Sequence, residues 1–268
     1  MKKGIVSKIV AASLVGVMAM GLMACGKKEE QGKSALDQIK ANGKLVMGTS
    51  PDFPPFESKD TKGNVVGMDV EIAKEIAKDL GVELEIKEMG FDGLLGALQG
   101  KKLDVILSGM TPTEERKGAV DFSSMYYKTD NVFVVQEANK NKYAKIEDLS
   151  GKKIGVQKGT VQEELVNEKV TSPDVNALEK TGDVVMNLKN GKIEAVLLEQ
   201  PVAEAYVKNN PGLALSKVTL ADEVGGYAIA MTKGESDLQA AINKTLDRLE
   251  KDGSLTKFFE DANAAMGE

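Results

Sequence analysis

From Lys44 onward the chain alternates short apolar runs with stretches whose apolar residues recur every three or four positions, and this alternation limits the fold more than any other feature. Leu45-Val46-Met47-Gly48 reads as a buried strand, and Val70, Ile72, Ala73, Ile76, Ala77 and Leu80 mark one face of a following helix. The pattern continues with a strand over Val82 to Ile86, a helix over Leu94 to Leu98, a strand over Leu103 to Leu107 and a short helix over Thr113 to Ala119. Strand and helix in regular turn predict an α/β fold, with parallel strands joined by helical crossovers. A second set begins near Asn131, with strands at Val132 to Val135 and Lys153 to Val156, a helix over Gln162 to Asn167, and a strand over Ile193 to Leu198. Tyr227 to Met231 is a further strand, and Leu238, Ala241, Ile242, Leu246 and Leu249 place a long amphipathic helix after it, back on the first lobe. Tyr126 to Asp130 and Glu223 to Gly226 are the candidate crossings of a two-segment hinge. The expected division is lobe 1 over 41–128 plus 226–268, and lobe 2 over 129–225.

Composition narrows the chemistry. The chain has 268 residues, a net charge of −6, no histidine and one cysteine, Cys25. Histidine-based triads, zinc sites and disulfides are therefore not expected, nor any metal or cofactor, and binding ranks ahead of catalysis. The negative balance argues against nucleic acid as a partner. Lys2, Lys3 and Lys8 precede an uncharged run from Ile9 to Ala24, which is the pattern of a signal peptide over 1–24. That run is shorter than a membrane-spanning helix requires. Leu22-Met23-Ala24-Cys25 resembles a bacterial lipobox, so Cys25 is expected to be lipidated and to anchor the protein to the outer face of the cell membrane, although Met23 is bulkier than usual there. Residues 25–40 then read as the lipidated cysteine and a solvated tether.

Candidate binding residues gather at strand ends. Gly48 to Glu57 follows the first strand at its carboxyl end, where open parallel sheets hold ligands. There Phe53, like Phe91 further on, fits either a core position or an aromatic face beside a ligand. Ser108, Gly109 and Thr111 lead into Arg116; Thr111 with Glu114 forms a capping box with Pro112 at the first helical position, while hydroxyls, amides and an arginine at a strand end also suit a carboxylate. Gly155 to Glu163 repeats the theme, with a second capping box from Thr160 to Glu163. Glu199 ends the strand Ala195 to Leu198. It is an ordinary loop acid or, if it faces Arg116 across a cleft, the second half of a site matched to an amino-acid zwitterion.

Taken in order, Gly48 to Glu57, Gly67-Met68-Asp69-Val70-Glu71-Ile72-Ala73, Ser108 to Arg116, Asp121-Phe122-Ser123, Gly155 to Thr160, and Ala195 to Glu199 with Pro201 resemble the amino-acid-binding proteins of ABC importers. These include the glutamine, histidine and lysine/arginine/ornithine binders, and the likeness covers 44–260. It implies a two-lobed periplasmic-binding-protein-like fold, each lobe a mainly parallel sheet flanked by helices, that closes on a free amino acid and presents it to a permease. It also implies aromatic walls at Phe53 and Phe91, and polar contacts from Ser108, Gly109 and Thr111. Arg116 would meet the carboxylate with help from Thr160 and Val161, and Glu199 the ammonium, where the family usually has Asp. Basic-side-chain binders of this family tend to carry an acid at the position of Ser50; here it is missing, with Asp52 and Asp92 nearby and Gln157 near the family's polar side-chain contacts. A polar amino acid such as glutamine is favoured, with arginine or lysine open, and a monomer is expected. Cyclohexadienyl dehydratases resemble the same family and supply an enzyme alternative. A sensory ligand-binding domain is the other, but it would continue into a membrane and signalling segment, which the sequence through Glu268 does not carry.

Overall fold

The computed structural model describes residues 34–221 and 223–265. The expected signal peptide, Cys25 and the first part of the expected tether lie outside the described residues. Among those described, no helix is long and apolar enough to cross a membrane.

In chain order the elements are α1 (Ala35–Asn42), β1 (Lys44–Thr49), β2 (Ser58–Lys59), β3 (Val65–Val66), α2 (Met68–Leu80), β4 (Glu83–Glu88), α3 (Phe91–Gln99), β5 (Val105–Ile106), α4 (Glu114–Ala119), β6 (Val120–Lys128) and β7 (Asn131–Gln136). They continue with β8 (Lys153–Gln157), α5 (Val161–Lys169), β9 (Asp174–Leu178), α6 (Thr181–Lys189), β10 (Ala195–Glu199), α7 (Gln200–Asn209), β11 (Leu213–Leu220), β12 (Gly226–Thr232), α8 (Ser236–Lys251) and α9 (Ser254–Ala265). One sheet runs β4-β1-β5-β12-β6 and the other β11-β7-β10-β8-β9. The chain leaves the first sheet after Lys128 and enters the second at Asn131; it returns between Leu220 and Gly226, where Thr129 N–H donates to the Gly225 carbonyl at 3.0 Å.

Both sheets are mixed. β4, β1 and β5 are parallel, as are β9, β8 and β10, because each pair is joined by a covering helix. β12 and β6 complete the first sheet antiparallel, and β7 and β11 complete the second in the same way. The antiparallel strands are those next to the crossings. Expected crossing residues Tyr126 to Lys128 are thus part of β6, held by its pairing with β12.

The tether expected to reach residue 40 stops earlier, since residues 35–40 belong to α1. Ser34 caps it by accepting from Asp37 N–H at 3.2 Å, Gly43 ends it in the left-handed region, and Ile39 is buried beneath it. Apolar contacts from Ala35, Leu36 and Ile39, with two good caps, order a segment whose composition reads as solvated. The first lobe's core also takes in α8, whose Leu238, Ile242, Leu246 and Leu249 are buried, as the amphipathic spacing predicts.

Candidate functional site

Lobe 1 is built around a stiff loop after β1. Phe56 is fully buried, with its ring centre 4.8 Å from those of both Tyr127 and Tyr227, and Phe53 packs 6.1 Å from Phe56 and 6.3 Å from Tyr227. Burying a phenylalanine contributes about 1.5–3 kcal/mol, so this cluster anchors the loop. The loop in turn meets the start of α2: Met68 N–H donates to Pro55 O at 3.1 Å and Asp69 N–H to Phe56 O at 3.0 Å. Only glycine fits at Gly67, whose φ is 132° and whose added Cβ would lie 2.2 Å from Phe56 O. This close approach sets Asp69 beside Glu57, both fully buried.

The acid pair supports the turn after β5. Ser108 Oγ donates to Glu57 Oε1 at 2.8 Å and accepts from Ser50 N–H at 3.0 Å. Asp69 Oδ2 accepts from Gly109 N–H at 3.0 Å and from the Tyr126 hydroxyl at 2.9 Å. Burial lifts the Asp69 carboxyl to about 6, against the pull of those two donors. Burial lifts Glu57 well above the usual carboxyl range, and the neighbouring Asp69 charge pushes it further.

Arg116 enters from α4. The helix is capped by Thr113, which accepts from Arg116 N–H at 3.2 Å, and not by a Thr111–Glu114 box. Shifting the cap by two residues leaves Thr111 in the turn, where its carbonyl accepts from Arg116 Nη1 at 2.8 Å. Arg116 Nη2 donates across to Gly159 O in lobe 2 at 3.0 Å, and the guanidinium lies 5.4 Å from the centre of the Phe91 ring. Burial lowers the pKa of this arginine, while Glu164, Glu199 and Glu115 oppose the shift.

In lobe 2, β8 delivers Gln157 and then Gly159, Thr160 and Val161 at the start of α5. Here too the expected capping box is replaced. The Thr160 hydroxyl donates to Gln157 O at 2.7 Å, and Glu163 accepts from Gly159 N–H at 2.8 Å, which closes the turn one residue earlier. Glu199 ends β10 and is 4% exposed, so it is not an ordinary loop acid. Pro201 in the first turn of α7 suits the direct passage from strand to helix.

These strand ends line one common cavity. Its lining contains all eleven residues expected from the sequence: Ser50, Phe53, Phe91, Ser108, Gly109, Thr111, Arg116, Gln157, Thr160, Val161 and Glu199. Phe53 and Phe91 prove to be core and wall at once, each 8% exposed. Two further lining residues, Glu57 and Gln162, had no reading of their own in the sequence. Glu57 sits inside a recognised motif, but its burial depends on the approach of α2; Gln162 is held by a bond to Asn131 Oδ1 at 2.7 Å. Asp52 and Asp92 are not in the lining and clasp the lobes together instead. Asp52 Oδ2 accepts from Thr181 N–H at 2.6 Å, the Tyr206 hydroxyl donates to Asp52 O at 2.7 Å, and Asp92 pairs with Lys158 at 2.8 Å. Burial raises the Asp52 carboxyl, opposed first by the Thr181 bond.

The model of the bacterial extracellular solute-binding proteins, family 3, matches residues 45–262. The chain belongs to this family. It is similar to the arginine-binding extracellular protein ArtP of Bacillus subtilis, with 40% identity over 90% of this chain and 91% of that one. The L-cystine-binding protein TcyJ of Escherichia coli is 33% identical over 92% and 93%. Among solved structures, the amino acid ABC transporter substrate-binding protein AbpA of Streptococcus pneumoniae, bound to L-arginine, superposes with a TM-score of 0.84 at 40% identity, covering 86% of this chain and 99% of that one. Family membership makes this chain an amino acid ABC transporter substrate-binding protein of the extracytoplasmic class. Its relatives are solute-binding proteins of transporters and not enzymes.

Proposed function

We propose that this protein captures a free polar amino acid, with arginine the first candidate, and delivers it to an ABC import permease. The observation that carries the reading is the pairing of Arg116 and Glu199 around one enclosed cavity, each at the end of the third parallel strand of its sheet or on the helix after it. Two of the guanidinium's N–H groups are committed to Thr111 O and Gly159 O, and the fork has further donors for a ligand carboxylate. Glu199 then receives the α-ammonium. Phe53 and Phe91 flank the side chain, Ser108, Gly109, Thr111, Thr160 and Val161 supply hydroxyls and amides, and Ser50 and Gln157 lie toward its polar end.

Charge favours a cationic side chain. Arg116 and Glu199 match a zwitterion, and the Glu57–Asp69 pair, with one proton between its two carboxyls, adds a further negative charge beneath Ser108. That charge attracts a cationic side chain and has no counterpart in a neutral amino acid. The 40% identity to ArtP, named for arginine, and to AbpA, solved with L-arginine bound, supports the same choice.

Closure is a hinge motion at residues 129–130 and 223–225 between a lobe of 41–128 plus 226–268 and a lobe of 129–225, with ligand shifting the population toward the closed form. The protein acts as a monomer, anchored by lipid on Cys25 after loss of residues 1–24. A thermal-shift screen of the twenty amino acids tests the assignment: arginine should raise the melting temperature most, and a flat response to all twenty would end the amino-acid reading. Membrane release of Cys25→Ser tests the anchor.

A further inference from the structure

The Glu57–Asp69 pair does more than hold the turn at Ser108. Each acid has one buried oxygen with no hydrogen-bond donor, Oε2 of Glu57 and Oδ1 of Asp69, while their other oxygens accept from Ser108, Gly109 and Tyr126. Two ionised carboxylates cannot share a dry site, so a proton held between them satisfies both orphaned oxygens. Asp69, with two donors, is the ionised partner; Glu57, with one, carries the proton. The groups facing the pair add no cation. The loop after β1 brings Asp52, whose charge disfavours ionisation of Glu57, and β6 and β12 bring the neutral phenols of Tyr126 and Tyr227. Glu57 also lines the cavity, whereas Asp69 lies behind it.

We infer that a ligand with a cationic side chain displaces the proton of the Glu57–Asp69 pair, so that binding of such an amino acid is coupled to proton release. The inference rests on the amino-acid reading above. The ligand's own cation keeps its proton; the one released is that of the Glu57 carboxyl, which passes to solvent and leaves two carboxylates beside one new positive charge. A neutral amino acid of similar length has no charge to exchange and leaves the proton in place. The pair thus separates arginine from glutamine or citrulline by proton linkage in addition to shape.

Calorimetric titration at neutral pH, in phosphate and in Tris, reads the coupling directly, because a released proton is taken up by buffers with very different ionisation heats. With L-arginine the difference between the two apparent enthalpies should correspond to about one proton, and with L-citrulline to about none. Arginine affinity should also tighten with rising pH by up to about tenfold per unit while Glu57 holds its proton in the empty protein. Glu57→Gln should abolish the buffer dependence and weaken arginine more than citrulline. Should that variant misfold, difference infrared spectra of the unchanged protein answer the same question, through loss of a protonated carboxyl band on arginine addition. Arginine binding with identical heats in both buffers, or proton release that persists in Glu57→Gln, would overturn the inference. Absence of heat with every amino acid would instead count against the proposed function.

Discussion

The two sheets repeat one strand order, with three parallel strands and then two antiparallel ones, yet the third parallel strand ends differently in each. β5 runs into a seven-residue turn, 107–113, before α4, whereas β10 passes straight from Glu199 into α7. The longer exit gives lobe 1 room for Ser108, Gly109 and Thr111 in addition to Arg116, all backed by the acid pair. The direct exit leaves lobe 2 with one buried carboxylate at that place and moves its other contacts to β8 and α5. A shared scaffold thereby supplies two unlike half-sites, and the difference lies in loop length after one strand.

Arg116→Ala should have the largest effect, weakening ligand binding by roughly 3–5 kcal/mol, because it strips the cation from a buried ionic contact. Glu199→Gln keeps the shape and should cost less, about 1.5–3 kcal/mol. Calorimetry on both sharpens the contrast, and a larger loss at Glu199 would reverse the ranking of the lobes. The next test concerns stability. Gly48 in β1 and Gly155 in β8 occupy comparable first strands, and an added Cβ would lie 2.3 Å from Leu103 Cδ1 or 2.3 Å from Val184 Cγ1. Leucine ends can swing aside, but a β-branched valine cannot, so both alanine variants lose about 1–3 kcal/mol with Gly155→Ala the worse. Chemical denaturation checks the order.

Asp52→Ala removes a clasp between the lobes and, at the cavity lining, only the long contacts of Asp52 Oδ1 with Ser50 Oγ at 3.3 Å and Gln157 Nε2 at 3.5 Å. An affinity loss of about 1–3 kcal/mol is expected, with a larger radius of gyration in solution scattering of the empty protein. Lys158→Ala breaks only the exposed pair with Asp92 and should change affinity by about 0.2–1 kcal/mol, less in high salt. A large effect there would mean that closure depends on the rim and not on Asp52.

Much of this was legible in the sequence, for identifiable reasons. Periodicity gave away α2 and α8, whose apolar residues gather on one face, and β1 was legible as a short apolar run because it is buried on both faces. The residues around the cavity were legible because they lie at strand ends within ordered motifs. β6 was not, because its run from Val120 to Lys128 mixes Asp121, Ser123 and Ser124 with apolar residues, and only pairing with β12 makes it a strand. α9 carries Phe258 and Phe259 but no fully buried residue, so it is defined by its packing on α2. Neither expected capping box forms: Thr113 takes the cap of α4, and the Thr160 hydroxyl donates to Gln157 O and not to α5. The Glu57–Asp69 contact joins two separate motifs through Gly67, and no spacing within either one reveals it.

Every one of the thirteen residues around the cavity is buried, and clasps at Asp52, Thr181, Tyr206 and Arg116 join the lobes beside it. On the proposed hinge, a molecule held there leaves only when those bonds part together. Its escape would then be paced by the opening of the protein and not by the strength of any single ligand contact. Two ligands of unequal affinity could then leave at nearly the same rate, and a receptor that pries the lobes apart would govern the timing of release.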